Sequence, residues 1–270
     1  MGIPTYADFN SMPNGRYRIT TVLYKGNAST VYLAKDIISA EHWILTLKKF
    51  RIENSHLDAH SVLQLEADSR RYQDFRHAAI PRIFDYFIER DPDHLHRNFY
   101  VAMDYINGRD LEGISRMMSK PIPYLQLKKW AIELCDVLAA MHAESMYFGL
   151  LCPRHIMVNY HGQIRLVDLG IGSSLNAGNN VHITHYLPPD YSQMEPSAAN
   201  DIYSLGATLY DLTTHLSASR LDEIRMPSKR ALIANATSSF ADIILKSLAH
   251  DPQARFQFIE QMRMAFLDLP

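Results

Sequence analysis

Apolar positions in this chain recur with two different periods. From Arg16 to about Arg90 the short apolar runs have strand character, except for one helical stretch. Tyr17–Val22 and Thr30–Ala34 are rich in β-branched and aromatic residues and flank the turn Lys25-Gly26-Asn27, which reads as strand, turn, strand. Trp43–Phe50 is a third strand. Alternation puts Ile44, Thr46 and Lys48 on one face and Trp43, Leu45 and Leu47 on the other. Val62, Leu65, Ser69, Tyr72 and Phe75 then recur at helical spacing and predict a helix over about 58–76. Phe99–Met103 reads as a buried strand, and Asn107-Gly108 as a hinge. Past the hinge the period is helical. Leu127, Trp130, Leu134, Leu138 and Met141 form one apolar stripe, and Ile202, Leu205, Leu209 and Leu212 another. A third helix is expected over about 239–249, and a last one ends near Leu267.

The chain has 270 residues, 47% of them apolar and 21% charged, enough for one large domain or two lobes around a cleft. A net charge of −2 with both signs interspersed gives no footprint for nucleic acid and no polybasic membrane anchor. Two cysteines, Cys135 and Cys152, are too few for a disulfide framework, which points to a reducing cytoplasm. No apolar run approaches the roughly 20 residues that span a bilayer, and no membrane partner is expected within this chain. The first residues lack the charged-then-apolar order of a signal peptide.

The chemistry concentrates in two neighbouring segments. Met146–Val158 is followed by Ile164–Leu166, a short apolar run leading into Val167-Asp168-Leu169-Gly170. Further features are the Gly26 turn, Lys48 on the third strand, and the segments Gly15–Ile19, Asp201–Tyr210 and Asp251–Phe256. In this order and spacing the set resembles a protein kinase over about residues 15–268, with a bacterial serine/threonine flavour. The resemblance implies an α+β, bilobal fold. Residues 1–105 would form a small lobe with a five-stranded sheet and one helix, and residues 106–270 a larger helical lobe.

The resemblance also assigns roles on the nucleotide side. Tyr24–Val31 matches the Gly-rich loop whose backbone N–H groups cover phosphates. Of three glycines only Gly26 is kept, with Tyr24 and Ser29 in the other two places. Lys48 matches the strand lysine that pairs with the α/β-phosphates, Glu66 its helix partner, and Asp168 a Mg²⁺ ligand. Val31, Met103, Asp104 and Tyr105 fall at adenine-contacting and hinge positions, Met157 at the floor under the ring, and Asp110 at the ribose. Thr46 stands where a smaller residue usually meets adenine, and its hydroxyl crowds the ring.

The catalytic side departs from the family. The expected His-Arg-Asp reads Phe148-Gly149-Leu150, the Lys that follows is Cys152, and the Asn is His155. Leu150 cannot accept a proton, and loss of a general base alone is worth roughly 10²–10⁴ in rate. His155 is the candidate second metal ligand, although imidazole suits softer ions than Mg²⁺. The threonine expected before the Pro-Glu motif is Ile183, or Thr184 if the register slips by one.

Architectural positions are kept. Phe148 and Leu169 suit an apolar column, Arg70 is a poor member of it, and Asp201 should hold the backbone of the catalytic loop. Asp190 of Pro188-Pro189-Asp190 should pair with Arg255, and the segment 171–187 should be ordered without phosphorylation. The expectation is a catalytically inactive pseudokinase: a signalling scaffold or allosteric partner of another protein, with weak ATP binding and uncertain use of Mg²⁺ or another divalent ion. Two alternatives stand beside it. One is an enzyme with non-standard phosphoryl or nucleotidyl transfer built on Lys48, Glu66 and Asp168. The other is an interaction module with an empty cleft.

Overall fold

β-branched and aromatic residues build the first sheet. A computed structural model describes residues 11–26, 29–41, 43–53, 59–90, 96–168, 184–189, 191, 197–216 and 218–270, which fall into two compact units meeting at Asn107 and Gly108. The first unit holds β1 (Tyr17–Lys25), β2 (Ser29–Asp36), β3 (Ile44–Glu53), α1 (Ala59–Asp74), β4 (Ile83–Arg90) and β5 (His96–Asp104). The strands form one antiparallel sheet in the order β1-β2-β3-β5-β4. Tyr32, Leu47 and Ala102 stand opposite one another across three strands. With Tyr17, Leu45 and Tyr100 they belong to one fully enclosed cluster. The other face carries the rows Val31–Lys48–Val101 and Leu33–Thr46–Met103.

The two outer strands of this sheet turn towards each other. The Tyr17 ring of β1 stacks on Phe87 of β4 at 5.7 Å, and its hydroxyl donates to Asp85 at 2.8 Å. Arg16 pairs with Asp36 at 2.7 Å and reaches Asp85 at 3.5 Å. On α1 the expected stripe is present: Leu65, Ser69 and Tyr72 are buried, and Val62 and Phe75 half-buried. Arg70 is exposed and hydrogen-bonded to Tyr86, so it takes no place in an apolar column.

One expectation about β3 is corrected. Leu45 and Leu47 are buried, but Trp43 lies outside the strand, 45% exposed, edge-on to Phe84 at 6.0 Å. The strand starts one residue later, so Trp43 is not on the core face.

The second unit is mostly helical. Its elements are β6 (Gly108–Asp110), α2 (Leu111–Met117), α3 (Tyr124–Ala143), β7 (Ile156–Asn159), β8 (Ile164–Leu166), α4 (Ala198–Thr214), α5 (Lys229–Ile233), α6 (Ser238–Ser247) and α7 (Ile259–Leu267). The whole apolar stripe of α3 is buried, and α3 packs against α7 and α4. α4 is buried on every side from Asp201 to Tyr210. Ser197 caps its N-terminus by accepting from the Asn200 amide at 3.4 Å, and Thr237 does the same for α6 at Phe240, 3.2 Å. β6, β7 and β8 form a small antiparallel sheet that carries Asp110 and Met157.

Candidate functional site

The loop from α3 to β7 is fixed from beneath. Asp201 is fully buried and accepts from the Phe148 amide at 2.9 Å, the Gly149 amide at 2.7 Å and His142 Nε2 at 2.8 Å. The role expected for Asp201 is therefore the one it plays. Gly149 has φ 84°, a conformation that strains any side chain with a Cβ. Thr208 of α4 donates to the Leu151 carbonyl at 3.3 Å and ties the loop a second time. Phe148 and Cys152 are buried, and Leu150 is half-buried.

His155 links this loop to Asp168. Its Nδ1 donates to the Leu150 carbonyl at 2.8 Å, and its Nε2 lies 3.5 Å from the Asp168 carboxylate. Burial opposes charge on the ring. The neighbouring Cys152, Asp168 and the Leu150 carbonyl outweigh it and push the pKa up to about 9. Asp168 has φ 66°, in the left-handed region that Asp tolerates better than most residues. A metal ligand must offer a free imidazole lone pair. Donation from Nδ1 to a backbone carbonyl is the usual posture of a metal-binding histidine and turns Nε2 to Asp168, so the two candidate ligands stand side by side, although imidazole suits softer ions than Mg²⁺.

The remaining nucleotide-side positions fall in both units. In the first, Lys48 is buried, directly opposite Val31 and Val101, with its ammonium 4.7 Å from the centre of the Phe50 ring. Thr46 is half-buried opposite Met103. Glu66 is half-buried on α1, and among the described residues no ion pair joins it to Lys48. Asp104 accepts from the Arg82 backbone amide at 2.9 Å, and Tyr105 is half-buried. In the second unit Asp110 caps α2 by accepting from the Gly113 amide at 2.7 Å, which occupies one carboxylate oxygen. Met157 pairs across from Asp110 and is half-buried.

A cavity of about 150 Å³ opens beside the loop, lined in part by Cys152, Arg154, Glu112, Arg116, Tyr186 and Asp211. Glu112 bridges Arg154 at 2.6 Å and Arg116 at 3.0 Å. The Tyr186 hydroxyl donates to Asp211 at 2.6 Å. Burial pushes the Asp211 carboxyl up to about 6, despite that bond and one from the Leu216 amide. Sequence reasoning missed this cavity, because nothing local marks Asp211 as buried or pairs Glu112 with Arg154.

Arg255 is buried, donates to the Ala249 and His250 carbonyls at 2.8 and 3.2 Å, and lies 5.1 Å over the Tyr203 ring. Its expected partner Asp190 lies outside the described residues, as do Leu169, Gly170 and all of the segment expected to order by itself up to Ile183.

The model of the protein kinase domain matches residues 17–267. The chain belongs to the protein kinase family. Curated relatives include the serine/threonine-protein kinases PrkC of Bacillus subtilis and PknB of Mycolicibacterium smegmatis, each 25% identical over 92% of this chain. Serine/threonine-protein kinase F of Synechocystis is also 25% identical over 92%. The chain spans 40% of PrkC, 42% of PknB and 54% of the Synechocystis kinase. Among solved structures, the apo form of PpkA-294 aligns with a TM-score of 0.72 at 18% identity, over 95% of this chain and 99% of that one. The fold is thus kinase-like, with a sheet-rich first lobe and a helical second lobe.

Proposed function

We propose that this kinase-family chain transfers no phosphate and works by binding, as a scaffold or allosteric partner of another protein. The observation that carries this reading is Leu150 at the place of the proton acceptor, with its carbonyl committed to His155. Cys152 adds to it, because it sets a buried side chain that cannot be a cation where transferred charge would need one. Meanwhile the scaffold of the loop is intact around Asp201, so the losses concentrate on chemistry and spare architecture. A purine nucleotide on the Val31–Lys48 and Thr46–Met103 rows would act as a conformational ligand, bound weakly and with only partial dependence on a divalent ion. Both cysteines are free thiols, which fits the reducing cytoplasm. No helix among the described residues is long and apolar enough to cross a membrane.

The relatives' names favour a second reading, residual serine/threonine phosphotransfer that uses Asp168. A radiolabel assay with ATP, on generic protein substrates and on the chain itself, separates the two. No incorporation above background is expected, and Leu150→Asp alone should not restore it, since Cys152 and His155 remain. Incorporation that is lost in Asp168→Ala would overturn the binding reading.

A further inference from the structure

The cavity beside the loop has two cations in its wall that share one carboxylate. Arg116 comes from α2, Arg154 from the loop, and Glu112 of α2 serves both. Arg116 donates to Glu112 Oε1 at 3.0 Å and Arg154 to Oε2 at 2.6 Å, so each oxygen holds one guanidinium. A guanidinium is a fixed fork of N–H donors that clasps a carboxylate best through two parallel bonds. Glu112 gives that clasp to neither arginine. The other acid of the wall is spent differently. Asp211 accepts from the Tyr186 hydroxyl at 2.6 Å, and among the described residues no ion pair joins it to either arginine. Asp110, two residues before Glu112, is bound to the Gly113 amide as the cap of α2. A third guanidinium lies along the same helix. A Cβ at Gly113 would stand 3.3 Å from Arg109 Cγ, and the Arg109 head group meets Met117. Arg109 is exposed, and the Arg116 and Arg154 side chains are 62% and 40% exposed, so all three reach solvent.

We infer that this cavity is a docking point for an acidic segment of a partner protein, which sets an Asp or Glu carboxylate against Arg116 and Arg154 in exchange for Glu112. The inference rests on the binding reading above and names the chemistry of the partner. Both arginines are already paired, so the site works by exchange and not by filling a vacancy. Ion pairs this exposed contribute little to stability, so their exchange costs little. A basic segment would meet three like charges at the same place.

Fluorescence polarisation on the full chain, with labelled Glu-Gly, Gln-Gly and Lys-Gly repeat peptides of equal length, tests this. The Glu-Gly peptide should bind about tenfold more tightly than the other two, and added salt should weaken it. Arg154→Gln and Arg116→Gln should each weaken it by about tenfold. Arg263→Gln, whose partner is Asp136 on α3, should leave it within about twofold. Glu112→Gln should tighten it by about threefold, because the competing carboxylate is gone. Arg116 is the more exposed of the pair, so its variant decides the matter if Arg154→Gln folds poorly. Equal binding of the Gln-Gly or Lys-Gly peptide, an affinity that neither arginine variant moves, weaker binding by Glu112→Gln, or no peptide binding at all would overturn the inference and leave a partner docked elsewhere. Transfer of label from ATP to a serine built into the Glu-Gly peptide would instead overturn the binding reading and leave the acidic preference standing.

Discussion

Asp201 satisfies two backbone amides and one imidazole from a site with no water contact. Its removal leaves those donors buried and unpaired, at about 1–3 kcal/mol for each. Asp201→Ala should therefore lose several kcal/mol in urea unfolding, and Asp201→Asn less, because one acceptor oxygen remains. Equal stability of wild type and Asp201→Ala would show that the loop is held elsewhere. Asp211 behaves in the opposite sense. Its folded pKa, about 6, lies above the ordinary 3.8, so between these values the native state keeps a proton that the unfolded chain releases. That contribution to stability is present at low pH, falls as pH rises through this window and levels off above about 6. Asp211→Asn stays neutral and can still accept from Tyr186. Its stability relative to wild type should rise by about 2–3 kcal/mol between pH 4 and pH 7. A gap that does not change with pH would remove Asp211 as the cause. Asp201 was legible in the sequence because it sits in a motif of fixed spacing. Asp211 and Glu112 were not, since each depends on which distant residue packs against it.

The helices show why element type is easier to read than environment. The stripe of α3 identifies both the helix and its buried face. The stripe of α4 identifies the helix only, because Tyr203, Ser204 and Thr208 are buried as well and no polar face exists to be seen. β4 escaped the pattern because its residues are half-buried on both faces, so alternation is weak. β6 escaped because Gly-Arg-Asp has no strand former. The contact between α4 and α6 depends on one missing methyl. A Cβ at Gly206 would stand 1.9 Å from Ser247 Oγ and 2.9 Å from Ser247 Cβ. Ordinary helix propensity would reward Gly206→Ala by about 1 kcal/mol. Overpacking against buried Ser247 should cost about 1–3 kcal/mol and win. Adding Ser247→Gly should recover stability by about 1 kcal/mol beyond the sum of the single changes. Additive single and double variants, compared by chemical denaturation, would argue that the helices are not in contact there.

At the scale of the molecule, membership of the kinase family was legible from motif order alone, whereas no motif in the sequence identifies the partner of the proposed binding role. The curled first sheet has a consequence of a different kind. Outer strands usually offer rows of unpaired N–H and C=O groups, which can template the addition of another chain. Here Tyr17, Phe87, Asp85 and Arg16 draw the two margins together, and the Asn14 amide donates to Glu89 beside them. The side chains that complete the core thus also withhold the margins from neighbours. Asp85→Ala should loosen that closure, so light scattering on heating should begin at lower temperature than in wild type, and by more than the drop in melting temperature. Scattering that merely tracks unfolding would leave the margins out of it. The proposed binding role adds a need for this restraint, because a surface kept for binding must not also polymerise.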